Sequence, residues 1–209
     1  SEEKDDDYVI KLKSEKVNIN HACARLDLTI RTPTKEALKG LTLKLGNTDV
    51  TLDKDLVFET KLDIYVANGH IDFKKGITSG KTAFGIANGE IVGQVHTLLS
   101  NELHTSIANG HTDIVVGEIK QDLKSVNIKS SMSNGHIRLQ LPVSFESRFS
   151  IKGFSGKKQV QSPEANKIHY LGRRWGLVSG YFGDRSDIDH TVDLSGANGA
   201  ITLLYQNVA

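Results

Sequence analysis

ANGHIDF, at residues 67–73, decides the fold because it returns four more times: ANGEIVG at 87–93, ANGHTDI at 108–114, SNGHIRL at 133–139 and ANGAITL at 197–203. Each copy is a small residue, then Asn-Gly, then side chains that alternate with period two. The corner pairs are Asn68-Gly69, Asn88-Gly89, Asn109-Gly110, Asn134-Gly135 and Asn198-Gly199. The first four glycines follow one another at 20, 21 and 25 residues, and Gly135 to Gly199 spans 64, room for about three more periods. A self-similar unit with a period near 21 is the mark of a repeat architecture. Gly46, 23 residues before Gly69, and Gly156 and Gly176, inside a divergent region at 144–186, fall close to the same grid.

Working outward, Leu62-Asp63-Ile64-Tyr65-Val66 before one corner and Ile71-Asp72-Phe73 after it alternate apolar and polar, as do Ile137-Arg138-Leu139-Gln140-Leu141 and Ile201-Thr202-Leu203. That is strand periodicity with one core face. Only residues 162–170 look even locally helical, so the chain is expected to be all-β. Asn-Gly suits a type I′ hairpin turn, but a meander repeats its turn every 8–12 residues or so. Recurrence at about twice that interval points instead to one corner per coil. Ala before the corner fits stacked strands about 4.8 Å apart, where equivalent positions are crowded. The expected architecture is a single-stranded parallel β-helix, a β-solenoid with coils of about 21 residues, over residues 17–209. A charged arm with one possible extra strand precedes it at 1–16.

Composition removes several classes of function. Lys plus Arg number 26 against 25 Asp plus Glu, a net charge of +1, which gives no excess to hold a nucleic acid. Cys23 alone cannot form an internal disulfide or a cysteine-rich zinc module. No apolar run of about 18 residues is present to span a membrane as a helix.

Among candidate sites, His70, His111 and His136 directly follow their corners, with Glu90 in the equivalent place between. Stacking would set them in a ladder at roughly 5 Å, close enough to share a metal or to titrate together. A line of ligands is not the tetrahedron that zinc prefers, so neither metal nor cofactor is expected. GITSGKT at 76–82 has three residues rather than four before Gly-Lys-Thr and no helix after it, so it is not a phosphate loop. Asp72 and Asp113 occupy equivalent outward positions two repeats apart, a spacing a glycosidase pair could use. The polar run 183–190, with Asp184, could bind a cation or sugar or simply feed the last repeat. Arg173-Arg174-Trp175 joins two cations to the only tryptophan, a combination found at contact hot spots.

The small-Asn-Gly-x-Ile-x-Leu corner, SNGHIRLQLPVSF at 133–145 and GYFGDRSDIDHTVDLSGANGAITLLY at 180–205 resemble the adhesin-like β-solenoid domains of bacteria and fungi, families largely of unknown function. The resemblance implies a right-handed β-helix and a surface role, and carries no catalytic residues with it. The expected function is a non-catalytic structural or adhesive element, not an enzyme. Its partner is expected to be the chain itself, with a cell-surface glycan or protein as a further possibility, and with no nucleic acid and no membrane span. Leu203 and Tyr205 would form an open terminal edge, and Tyr8, Val9, Ile10 and Leu12 a strand able to add to a neighbour's edge, giving a head-to-tail filament. A carbohydrate-binding or polysaccharide-cleaving β-helix using Asp72, Asp113 or Asp184 is the alternative. A start at Ser1 without Met fits removal of a leader and equally a trimmed chain, and no Asn-x-Ser/Thr acceptor occurs. An extracellular or cell-surface location is expected, with the cytoplasm as the alternative.

Overall fold

The computed structural model describes residues 39–120 and 123–207, leaving aside the side chains of Leu99 and Ser100. All of them belong to one unit, Thr32–Ala209. The expected arm at 1–16, its strand residues Tyr8, Val9, Ile10 and Leu12, and Cys23 lie outside the described residues. The described part is all-β: β1 (Gly40–Asn47), β2 (Val50–Leu52), β3 (Leu56–Ile119), β4 (Asn127–Leu141), β5 (Ser147–Gly153), β6 (Lys158–Gln161), β7 (Ile168–Arg174), β8 (Leu177–Phe182) and β9 (Thr191–Tyr205), with one short 3-10 turn at Ala165–Lys167.

The repeat is structural. Asn68 donates its side-chain amide to Asn47 at 2.5 Å, Asn88 to Asn68 at 2.7 Å, Asn109 to Asn88 and Asn134 to Asn109 at 2.8 Å each, and Asn198 to Asn134 at 2.9 Å. Beside this amide ladder the glycines that follow hold φ between +127° and +143°. A Cβ on any of the five would lie 1.6 to 1.9 Å from the carbonyl oxygen of the corner beneath it. Glycine is therefore required twice over, by the backbone angle and by the closeness of the next strand. The unit of 64 residues in β3 is one extended run that meets itself at these corners, 20 and 21 residues apart.

Order along the sheet departs from order along the chain. The strands lie β1-β3-β4-β9-β5-β8-β7, with β2 on β3 and β6 on β9. β1 runs parallel to β3, β3 to β4 and β4 to β9. On its other side β9 runs parallel to both β5 and β6. The last strand in sequence is thus inserted between two earlier ones. The 64-residue interval from Asn134 to Asn198 holds no further corners between them; they are immediate neighbours. Gly156 stands beyond Gly199, where Ser155 donates its hydroxyl to Asn198 at 3.1 Å in place of another asparagine. Gly176 is a hairpin turn rather than a corner, and just after β1 it is Thr48, not Gly46, that underlies Gly69. The sheet is also mixed: β8 runs antiparallel to β5, and β7 antiparallel to β8.

Inward side chains form columns across the parallel strands. One runs Leu103, Ile128, Val192, Phe149 and another Ile114, Leu139, Leu203, Val160, all buried. A third runs Thr112, Ile137, Ile201. The buried Thr112 hydroxyl has no hydrogen-bond partner among the described residues. An unpartnered buried hydroxyl costs about 1–3 kcal/mol, whereas a methyl in its place has no such cost. Thr112→Val is therefore expected to stabilise the domain by about 1 kcal/mol, read as a higher urea midpoint at unchanged slope.

Candidate functional site

The side chains directly after the corners form a column across the strands. It runs Asp49, His70, Glu90, His111, His136 and then Ala200. His70 Nδ1 lies 2.8 Å from Asp49 Oδ1 and its Nε2 lies 3.8 Å from Glu90, while His111 Nδ1 is 3.3 Å from the same carboxylate. The His111 and His136 rings stack at 4.6 Å. Among the described residues no group of three or more His, Cys, Asp or Glu is arranged to hold a metal ion. The register explains this, since parallel strands set equivalent side chains on a line.

The column does separate its histidines electrostatically. The hydrogen bond to Asp49 raises the pKa of His70 above the ordinary 6.5; desolvation opposes it, and the charges of Asp49, Glu90 and Asp72 add to the rise. Burial lowers that of His136, the nearby His111 adds to the lowering, and Asp113 and Glu90 oppose it. Protonated His70 is favoured by folding, so its contribution is complete below the unfolded pKa and is lost as pH rises through the folded one. Neutral His136 is favoured, so its contribution is present above the unfolded pKa and is lost as pH falls toward the folded one. Side-chain NMR titration is expected to place the His70 midpoint above 6.5 and the His136 midpoint below it. Asp49→Asn should bring down only the first.

Of the acids named for a glycosidase, Asp72 and Asp113 keep the two-repeat spacing expected of them. Asp113 is held by Arg138 at 3.1 Å, and Asp72 belongs two corners away on the same outward column. Asp184 lies on an exposed loop, where its backbone N–H donates to Glu146 Oε1 at 3.1 Å. In the same run Arg185 and Asp187 form a two-pronged pair at 2.6 and 2.9 Å. His190 closes the run structurally. Its Nδ1 accepts the Val126 N–H at 3.0 Å, its carbonyl accepts that of Arg148 at 2.9 Å, and its ring lies over Phe145. Residues 183–190 thereby lead the chain into β9. GITSGKT lies wholly within β3, with Lys81 paired to Glu102 at 2.6 Å and Thr82 buried, so no helix N-terminus is available to a phosphate.

Leu203 and Tyr205 are fully buried, a correction to their expected place on an open edge. β9 has partners on both sides, and Tyr205 stacks on Phe182 at 4.0 Å and shares a 2.7 Å hydrogen bond with Ser147. Complete burial of the phenol raises its pKa far above the usual range.

Arg173, Arg174 and Trp175 lie elsewhere, on a surface built by β6 and the β7–β8 hairpin. Trp175 and Gly176 form the two-residue tip, with Gly176 at φ +78° and Arg174 paired to Leu177. The tip is tied down because Gly153 donates its N–H to the Gly176 carbonyl at 2.8 Å. Trp175 is 78% exposed and meets the edge of Phe154, itself 69% exposed, with 5.0 Å between ring centres. The Arg173 guanidinium sits 3.7 Å above the Tyr170 ring. Lys157, Lys158, Gln159 and Gln161 close an open groove of about 690 Å³ that Tyr170, both arginines and Trp175 also line. Of the six large apolar side chains exposed among the described residues, Phe154, Tyr170, Leu171 and Trp175 fall in this region. Sequence reading finds the Arg-Arg-Trp run but not Phe154, Tyr170, Lys157 or Lys158. Only the packing of Gly153 and Phe154 against the hairpin tip brings these together.

A second groove, beside the corners, is lined by small residues such as Ala67, Ala87, Ala108 and Ser133 and has Lys44 as its one charged residue. Among the described residues no helix is long and apolar enough to cross a membrane.

No protein-family model matches the sequence, and no curated protein matches it. Among solved structures the chain is similar to one from Clostridium sporogenes described as a "putative cell adhesion protein", at 15% sequence identity and a TM-score of 0.39. The similarity covers 60% of this chain and 56% of that one, so it spans little more than half of either.

Proposed function

We propose that the protein is a non-catalytic adhesive or structural element of the cell surface or extracellular space, whose contact surface is the aromatic and basic face around Trp175. Its scaffold is a right-handed parallel β-solenoid with coils of about 21 residues, a reading supported by corner residues that bond across 20, 21 and 25 positions. Such a scaffold spends its side-chain polarity on itself, in the amide ladder and the His–carboxylate column. What it offers a partner is a rigid outer face.

One observation carries the proposal: three side chains of the kind that dominate binding energy, Trp175, Phe154 and Tyr170, stand exposed together beside two arginines. Large apolar side chains are normally scattered singly over a surface, and a cluster marks a place of contact. Beads carrying the protein are expected to retain cell-envelope material of the producing organism. A Trp175→Ser/Phe154→Ser variant with unchanged circular dichroism should retain at least tenfold less. Equal retention by both would remove this face from function, and no retention by either would remove the adhesive reading.

Self-association is a second reading, favoured by one observation. β7 pairs only with β8 among the described residues, which leaves its outer edge open to an added strand. Among the described residues β7 is thus an open edge, whereas β9 has partners on both sides. Light scattering that rises with concentration would support this reading, and a monodisperse monomer at high concentration would reject it.

A further inference from the structure

We infer that the groove between β6 and the β7–β8 hairpin binds a carboxylate-bearing polysaccharide, with sugar rings against Trp175 and acid groups on Arg173, Arg174, Lys157 and Lys158. The inference rests on the reading of this face as the contact surface and adds the chemistry of what it contacts.

Charge selects the ligand first. Four cations line the groove and no Asp or Glu does, although the whole chain is nearly neutral, with 26 basic against 25 acidic residues. None of the four cations forms an ion pair among the described residues. Lys158 reaches only the Gly156 carbonyl, at 3.3 Å, and Arg173 lies on the Tyr170 ring. A ring beneath Arg173 fixes the guanidinium plane while leaving its N–H fork free to grip a carboxylate with two parallel hydrogen bonds.

Shape selects next. Ten residues line the groove, whereas a specific protein–protein interface takes about 20–30 residues from each side. A few sugar rings fit that extent better than a folded partner does. Trp175 supplies a broad face whose negative quadrupole attracts the polarised C–H bonds of a pyranose ring. The tip that carries it is held by the Gly153 to Gly176 hydrogen bond and by Phe154, so little order has to be imposed on binding. Gln159 and Gln161 add amides that can both donate to and accept from hydroxyl groups. A chain that keeps its free hydroxyls between acid groups uses them, and a densely sulfated chain does not.

The test measures binding of the intact protein to four immobilised probes: polygalacturonate, heparin, dextran and poly-glutamate. The expected result is binding to polygalacturonate that weakens with added salt, is stronger than binding to heparin, and is absent for neutral dextran. Trp175→Ala and the pair Arg173→Gln/Arg174→Gln are each expected to weaken it at least tenfold without a change in melting temperature. Lys157→Gln, on the other wall, should weaken it several-fold and serves if the arginine pair perturbs folding. Equal binding to poly-glutamate, or indifference to Trp175→Ala, would overturn the proposal in favour of unspecific charge attraction. Preference for heparin would overturn the choice of carboxylate. If no polysaccharide binds while the Trp175/Phe154 variant still loses adhesion to envelope material, the glycan is wrong and the contact surface stands. If adhesion is unchanged as well, both fall.

Discussion

Gly135→Ala is expected to prevent folding of the domain or to cost it at least about 4 kcal/mol, a loss that few single substitutions reach. Two independent effects combine. At φ +133° an alanine is strained wherever it stands. Its Cβ would also lie 1.6 Å from the carbonyl oxygen of Gly110, an atom of a neighbouring backbone held in a parallel ladder on both sides of the corner. The strands cannot separate locally, because the Asn109–Asn134 amide bond and the ladder beyond it would open with them. Gly46→Ala is the control. Gly46 lies in β1 with nothing near its would-be Cβ, so the change should stay within about 0.5 kcal/mol. Denaturant titration of the two variants is the measurement, and equal midpoints would sink the claim that stacked corners require glycine.

Leu203→Asp is expected to be equally severe, because the structure turns the supposed end of the sheet into its interior. Leu203 lies between Leu139 of β4 and Val160 of β6 and is completely buried. A carboxylate there would have no partner, and burying an unpaired charge costs several kcal/mol. The damage should spread, since β9 is what joins β4 to β5 and β6. Thr202→Asp is the matched control. Thr202 is only half-buried, one residue away on the other face, with Arg138 as its neighbour in the register, so an aspartate there should be tolerated. On an open terminal edge Leu203 would have a neighbouring strand on one side only, and the two variants would differ less. A difference of at least about 3 kcal/mol between them in denaturant midpoints is expected of the inserted strand, and similar midpoints would contradict it.

The corners and the core faces were legible because both depend on short-range constraints. Asn-Gly followed by alternation identifies a strand, a turn and a buried face within seven residues, and Ile64, Ile71, Leu139 and Ile201 are buried as their alternation requires. The histidine column was legible for the same reason, since it occupies one position of that unit. The contact surface was legible only in part. Arg173-Arg174-Trp175 stood out as the chain's one tryptophan beside two cations, while Phe154 and Lys157, about twenty residues earlier, carry no pattern that ties them to it. Their neighbourhood comes from the Gly153 N–H reaching the Gly176 carbonyl, a contact between the end of β5 and the hairpin tip.

By itself, then, the sequence determined that the described residues are all-β, where the five Asn-Gly corners lie and which side of the strands around them faces inward. Side-chain alternation and the glycine requirement are properties of the strand and the corner themselves. The tertiary structure alone decided that β9 enters between β4 and β5, that Leu203 and Tyr205 are core, and that an aromatic and basic groove exists. A 64-residue interval between two corners suits several intervening strands or one long excursion equally well, because the entropy of closing a loop rises only slowly with its length. Which strand fills a given edge is settled by the ladder and columns it completes there. β9 supplies the apolar positions that match Leu139 on one side and Val160 on the other.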